Sequence, residues 1–308
     1  MVIPIHLYEV PAISKFTAVP PTKRVDRPRP HIPNPVLEAL SDSPELDQNS
    51  AAAVIAANPV TIPEPAALPE LPPAPVIQSA QALHTMPPPS ASYLLDVVRT
   101  EPNVANPYYG SGEIHWSHDG TSYNLRLEVG VDFLFAKVRL YSVDSAGSLG
   151  NAGIRPDTMT ESRRGRSATA THFNYDAGTI SFSASTATFP LSEGAQDRAT
   201  VLMQLASIGN ADPGQFEKGK EITIQVAEDK DASPFLFVVL NRETIDTRLG
   251  HLDTWHIVRP PRPGTYSSRL DIWVAPDLNW LPVQLRNTES NGAITTQTIR
   301  KIITEDRQ

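Results

Sequence analysis

Eight histidines are the side chains best suited to holding a metal or moving a proton, and the closest pair among them is His115-x-x-His118. In an extended strand, positions three apart point to opposite faces, so these two rings cannot share an ion unless a turn bends them together. His251 and His256, five apart, fail for the same reason, and no metal site is expected. Arg155, Arg163, Arg164 and Arg166 form the densest basic group and could grip a phosphate or lipid head group through forked donors. Strand alternation places Arg164 and Arg166 on one face and Arg163 on the other, so a solvated edge that deters edge-to-edge pairing is the simpler expectation. For nucleophilic catalysis there is no G-x-S-x-G, S-x-x-K or H-E-x-x-H pattern. Cysteine is absent altogether, which removes thiol catalysis, disulfides, iron–sulfur clusters and cysteine-based zinc sites. Asp197 is the carboxylate best placed to be questioned as an acid or base, yet a helix cap accounts for it without a reaction. No catalytic residue and no cofactor is assigned from the sequence.

The elements that would position these groups occupy only part of the chain. Nineteen of the 30 prolines fall in residues 1–90, and all 16 glycines lie at Gly110 or beyond. The expected division is a disordered proline-rich arm over 1–92 and one folded domain over 93–308. Prolines at 59, 63, 65, 69, 72, 73 and 75 remove backbone donors and favour polyproline II, a semi-rigid spacer reaching about 3 Å per residue. Pro69-Glu70-Leu71-Pro72 fits a P-x-x-P ligand pattern that any such run matches by chance. Lys23, Arg24, Arg27 and Arg29, with Asp26 among them, make a weak basic patch of the kind found just past a membrane anchor. The chain as written has no signal peptide and no apolar run long enough to span a bilayer, so an anchor is expected upstream of Met1. A net charge of -8 argues against nucleic acid as the main partner.

From Tyr108 short alternating runs separated by turn residues predict antiparallel β-structure. Asp119-Gly120, Asp176-Ala-Gly178 and Asn291-Gly292 supply turns, and about twelve strands imply an all-β fold. The expected form is a large, strongly curved sheet or incomplete barrel. Val201, Leu205 and Ile208 recur at helical spacing, with Leu202 beside them, so residues 197–208 predict one amphipathic helix. Asp197 caps it, and its apolar stripe packs on the concave face. Phe235 to Leu240 is apolar on both faces, as are Phe133, Phe135 and Tyr141 opposite Leu134, Val138 and Leu140. Either both faces are covered there or one lines a cavity. Trp273 stands on a polar face among Arg269 and Asp271, where packing across arginine side chains is expected.

The order of several landmarks resembles a known family. Ser148-Leu-Gly150-Asn-Ala-Gly153-Ile-Arg-Pro156 follows a long strand, and Gln196-Asp197 opens the helix. Glu243-x-x-x-Thr247-x-x-Gly250 precedes the strand carrying Trp255, and Trp273 is followed by Leu281-Pro282-Val283. This order is similar to the bacterial domain of unknown function family 3108, over about residues 93–303. Two departures are Thr200 where Ser is usual after the helix-opening Asp, and the lack of a visible anchor. The resemblance implies envelope proteins facing the periplasm, with no established activity. It also implies a fold similar to the half-barrels of periplasmic lipoprotein carriers, which hold acyl chains between sheet and helix.

The expected function is therefore a non-enzymatic envelope module, held off a membrane by its arm and binding an apolar or lipid-like ligand between sheet and helix. Its candidate lining is Phe133, Phe135, Tyr141, Leu202, Leu205, Phe235 and Phe237. The first alternative is a structural or scaffolding module with a fully packed interior, and the second an unrecognised hydrolase. The ligand, the partner and the oligomeric state stay open at this level.

Overall fold

The computed structural model describes residues 84–133, 136–262 and 267–304. The arm before residue 84, with its polyproline segment and its basic patch, falls outside the described residues, as do Phe135 and the side chain of Phe133. The strands are β1 (Ala91–Thr100), β2 (Tyr108–His118), β3 (Ser122–Phe133), β4 (Ala136–Gly150), β5 (Gly153–Arg163), β6 (Thr169–Asn174), β7 (Thr179–Phe182), β8 (Ser185–Pro190) and β9 (Gln196–Asp197). The helix α1 (Thr200–Ala211) interrupts them, and β10 (Glu221–Glu228), β11 (Asp231–Thr247), β12 (Gly250–Arg259), β13 (Arg269–Ala275), β14 (Leu281–Thr288) and β15 (Ile294–Thr304) follow it among the described residues. They form one open sheet of 15 strands, running from β8 at one edge through β1 and β15 at its middle to β9 at the other. Every pairing is antiparallel except the short β9–β10 contact.

The sheet has 15 strands where the sequence pattern predicts about twelve. β1 was hidden because it follows the proline-rich stretch without a turn signal, although Ala91, Tyr93, Leu95 and Val97 alternate and are all buried. The short strands β7 and β8 pair with each other as a tight hairpin. The landmark Ser148 to Pro156 is mostly strand: β4 continues to Gly150 and β5 starts at Gly153. Conversely, β5 stops at Arg163, so Arg164 and Arg166 lie in a turn, exposed, rather than on a strand face.

A twisted sheet of this width curls, and bulges sharpen the bend where its register shifts, as between Ala146 and Gly147 on β4. There the backbones approach so closely that a Cβ on Gly147 would stand 2.2 Å from the Arg155 carbonyl oxygen. The two ends of the sheet meet without a ladder. Phe173, Ile180 and Phe182 from β6 and β7 pack with Ala227 and Ala232 from β10 and β11. Gln225 on β10 donates to the Pro190 carbonyl and accepts from the Ser192 amide.

Helix α1 fills the concavity. The expected amphipathic stripe is replaced by burial on every side, from Thr200 through Gly209. A helix without a wet face must satisfy its polar side chains internally. Gln204 accepts from the Ile154 amide and donates to the Ala152 carbonyl, and Ser207 donates to Met203. Val201, Leu202, Leu205 and Ile208 pack with Phe235, Phe237, Val239, Ile257, Leu270 and Ile272 of the inner face. Each such side chain contributes roughly 1.5–3 kcal/mol on burial. The far end of the helix is tied to the last prolines before β1. Met86 donates its amide to the Ser207 carbonyl, and the Pro88 carbonyl receives Trp116 Nε1.

On the outer face Trp273 is 4% exposed. It stacks on His256 at 4.5 Å, lies under the Arg286 guanidinium at 5.1 Å and donates to Glu243. Asp271 beside it receives His256 at 2.8 Å and Arg269 at 2.7 Å. Burial acts to raise the Asp271 pKa, but these two donors outweigh it and hold the group at about 2. A depressed carboxylate adds stability above its unfolded value that is lost as pH falls towards the folded one. Arg269 is half-exposed, which discounts the effect. Asp271→Asn should therefore cost about 1–2 kcal/mol at neutral pH. Urea unfolding at pH 7 and again near pH 2.5 should show that deficit shrinking; an equal deficit at both would contradict it.

Candidate functional site

On four strands the apolar inner face ends in a polar residue. On β1 the series Tyr93, Leu95, Val97 is followed by Arg99, on β5 Met159 by Glu161, on β12 Ile257 by Arg259, and on β14 Val283, Leu285 by Asn287. Period-two alternation brings these four to the same end of the concavity, beside Arg198 where the chain enters α1. All five are buried. Arg198, Arg259 and Asn287, with Glu228, Asp229, Glu289 and Ser268 among others, line a recess of about 330 Å³ at the mouth of the curled sheet, and Arg99 and Glu161 bond to two of these, Glu289 and Arg198. That volume lies within the usual range of about 300–1,000 Å³ for small-molecule sites.

The mouth is held by ion pairs. Arg198 reaches Glu161 at 2.5 Å and, less closely, Glu228 and Asp229 at 3.4 Å. Glu161 also receives Arg163 at 2.6 Å and the Tyr141 hydroxyl at 2.9 Å. Burial pushes the Glu161 pKa up, and the two arginines more than reverse it, so the net direction is down. Arg99 is clasped by Glu289 at 2.5 Å and Glu101 at 2.8 Å. Arg259 is different: it lies over the Phe235 ring at 4.7 Å and donates to the Ser268 carbonyl at 3.0 Å. Its nearest carboxylate is Glu228, at 3.7 Å. Burial lowers its pKa, and Glu228 does not offset the burial and the repulsion from Arg262 and Arg198. Three buried atoms of this lining make no hydrogen bond: Arg198 Nε, Arg259 Nε and Asn287 Oδ1.

The residues named from the sequence lie elsewhere. Leu202, Leu205, Phe235 and Phe237 come together in one core cluster between helix and sheet. Tyr141 belongs to the neighbouring cluster around Tyr93 and Trp116, with its hydroxyl turned to the mouth. Between α1 and strands β1, β2, β14 and β15 the space left open is about 20 Å³, lined by Tyr93, Leu95, Leu202 and Met203 among others. That is room for about one water molecule.

The residues that carry the family resemblance mostly hold the architecture. Gly153, at φ +97°, lies so close to the Gln204 amide that a Cβ would meet it at 2.4 Å. Gln196 donates to the Ile154 carbonyl at 2.6 Å, and Tyr175 donates to the Pro156 carbonyl. Ser148 and Gly150 pair across the hairpin with Arg155 and Gly153. Thr247 donates to the Gly250 carbonyl, at the β11–β12 turn where Gly250 has φ +107°. Trp255 packs against the helix-side core under Arg242, and Pro282 borders the small apolar void. A second recess of about 350 Å³ beside the β4–β5 turn is lined by residues 150–155 and 191–195 with Gly178 and Tyr175, on which Arg155 stacks at 3.7 Å.

Histidines are dispersed: His115 meets Ser92, His118 the Pro88 carbonyl, His251 Asp246, and His256 Asp271. Among the described residues no group of three or more His, Asp or Glu could hold a metal ion, and no helix is long and apolar enough to cross a membrane.

Residues 105–298, from the loop before β2 into β15, match the family model described as protein of unknown function (DUF3108). No curated protein matches the chain. Among solved structures the chain is similar to a DUF1329 family protein from Desulfovibrio piger, at 10% identity and TM-score 0.27, covering 71% of this chain and 87% of that one. It is also similar to the hypothetical protein CT021 from Chlamydia trachomatis, at 7% identity and TM-score 0.25, covering 68% of this chain and 85% of that one.

Proposed function

Because the chain belongs to the DUF3108 family of proteins of unknown function, we propose a function argued from its own site: a non-enzymatic binding module of the cell envelope that engages its ligand or partner at the charged mouth. The observation that carries this reading is the contrast between the two spaces, about 330 Å³ lined by buried arginines at the mouth and about 20 Å³ between helix and sheet. The curled sheet and its helix serve as a packed frame that fixes the strand ends, and the strand ends present the polar groups. The resemblance described above supports the envelope setting.

Two measurements test the reading. Amide hydrogen exchange of the full chain, with and without a soluble envelope extract, should show slowing at the β10–β11 turn (228–230) and the β14–β15 turn (289–291). The turn at 119–121, at the opposite end, should be unchanged. Uniform exchange at all three turns would count against the mouth. An apolar ligand between sheet and helix would need α1 to lift from the sheet, so mass spectrometry of organic extracts from protein purified without detergent should be clean. A lipid recovered at one per chain would replace this reading with the carrier one.

A further inference from the structure

We infer that the end of the concavity opposite the mouth is a polyproline-recognition seat, which the chain's own segment Met86–Ser90 fills in cis. Ala91, where β1 begins, stands opposite Trp116, at the far end of both strands from the Arg99–Tyr108 pair near the mouth. The segment that crosses this end is Met86-Pro87-Pro88-Pro89-Ser90. Each proline fixes its own φ at about -65° and restricts the residue before it to extended backbone, so the segment is stiff before it meets anything. Its burial repeats every three residues: Pro88 and Ala91 are buried, Met86 and Pro89 exposed, and Pro87 and Ser90 lie between. Three residues make one turn of a polyproline II helix, so one edge of such a helix is laid into the fold.

The chemistry of the seat fits what such a segment can offer. Successive prolines have no amide hydrogen, so only their carbonyl oxygens and rings are left to recognise. The fold supplies donors to those carbonyls. Trp116 Nε1 donates to the Pro88 carbonyl at 2.9 Å, and His118 Nε2 reaches the same oxygen at 3.2 Å. Tyr93 donates its hydroxyl to the Pro89 carbonyl at 3.4 Å. These side chains come from the neighbouring strands β1 and β2, and Trp116, completely buried, stacks on Tyr123 at 5.4 Å. The residues flanking the prolines are clamped as well. Met86 donates its amide to the Ser207 carbonyl of α1 at 2.8 Å and accepts from the Asn210 amide group at 3.3 Å, and Ser90 Oγ accepts the His118 amide at 3.0 Å. The helix contacts alone would tether a segment that merely leads into β1. Three aromatic-ring donors aimed at two consecutive prolyl carbonyls match instead the way proline-rich ligands are held in grooves lined by aromatic side chains. Because Ser90 runs directly into β1, the cis segment has a high effective concentration and holds the seat against free peptide. A proline-rich segment presented in trans enters only once the cis one is removed.

The test opens the seat in the full chain by Pro87→Gly, Pro88→Gly and Pro89→Gly together, which keeps the length and releases the polyproline bias. A synthetic peptide of residues 85–91 is titrated while the Trp116 indole N–H resonance, assigned by its loss in Trp116→Phe, is followed. The peptide should bind the opened variant about tenfold or more tightly than it binds the parent, whose seat is filled. Replacing the peptide's prolines by glycine, or adding Trp116→Phe to the opened variant, should each weaken that binding by about tenfold or more. A second measurement does not depend on the glycine variant. In the full chain Trp116→Phe alone keeps an aromatic ring and removes the donor, so exchange of the Met86 amide should quicken about tenfold or more relative to that of Leu205 in mid-helix. If the glycine variant does not fold, this exchange result decides alone. No peptide binding to a folded opened variant, equal binding by parent and opened variant, equal binding of the proline and glycine peptides, or an unchanged ratio of Met86 to Leu205 exchange overturns the seat.

Discussion

Asp197→Ala should lower the unfolding free energy by about 3 kcal/mol, whereas Asp197→Asn should stay within about 1 kcal/mol of the parent at neutral pH. Asp197 is completely buried. One carboxylate oxygen takes the amides of Ala199 at 2.7 Å and Thr200 at 2.9 Å, the first turn of α1, and the other takes the Ser145 hydroxyl at 2.5 Å. Alanine leaves two amides at the helix start in the core without partners and leaves the Ser145 hydroxyl only the Tyr123 hydroxyl at 2.9 Å, which is more than the loss of an ordinary surface cap. Asparagine keeps the acceptor for the two amides, and its NH₂ can meet the Ser145 oxygen. Burial pushes the Asp197 pKa up against the hydrogen bonds from Ser145, Thr200 and Ala199. With a folded pKa above the unfolded one, the native state binds the proton more tightly, so this group's contribution falls as pH rises from the ordinary carboxylate value through the folded one. Asp197→Asn removes that decline. Urea unfolding of the three proteins at pH 5 and pH 7 reads both effects, and an alanine variant within 0.5 kcal/mol of the parent, roughly the scatter of a neutral surface change, would remove Asp197 as the helix anchor.

Much of this region was legible in the sequence for a local reason. A carboxylate two or three residues before an apolar 3.6-residue period is a helix signal whatever surrounds it, and Asp197 does bond the first helical amides. The assigned cap residue, however, is Ala199, and the helix runs Thr200–Ala211 rather than 197–208. Trp273 was likewise readable, as an aromatic on a polar face that packs under an arginine. The complete burial of α1 was not, because the 3.6-residue apolar spacing marks only the stripe that meets one sheet face. The sheet curls far enough to enclose Gln204 and Ser207 as well, and only closure of the ends, through contacts such as Gln225 with Pro190, makes that happen.

The mouth escaped the sequence reading altogether. Arg99, Glu161, Arg198, Arg259 and Asn287 are scattered over nearly two hundred positions and form no motif. Each taken alone reads as the polar end of a strand or the start of a helix. A signal was nevertheless present in the alternation, since Arg99, Glu161, Arg259 and Asn287 occupy the inward parity of their strands one step after the last apolar residue. A charge at inward parity has to be paired or put to use. Following parity to the strand end, rather than stopping where hydrophobicity stops, would have gathered four of the five.

Replacing Arg198 by methionine should cost about 3–5 kcal/mol, the largest effect expected for a charged side chain in this fold, because it strands Glu161 in the buried layer. Arg198 is 3% and Glu161 7% exposed, with a 2.5 Å contact between them. Arg163 and Tyr141 still reach Glu161 when Arg198 is gone, which sets the cost below that of a wholly isolated charge. Adding Glu161→Gln to Arg198→Met removes the stranded charge and keeps an acceptor for the Tyr141 hydroxyl. The double variant should then be more stable than Arg198→Met alone by about 1–3 kcal/mol, a coupling that independent sites would not show. In Arg198→Met burial acts on Glu161 with less opposition, so its pKa moves up and the deficit should shrink on acidification, as protonation neutralises the stranded group. Thermal and urea unfolding of the two single variants and the double at pH 5 and pH 7 complete the cycle. Strict additivity with no pH dependence would mean that Arg198 stabilises the mouth through packing of its alkyl stem rather than through charge, and that the buried ion pairs are not what fixes the strand ends around the recess.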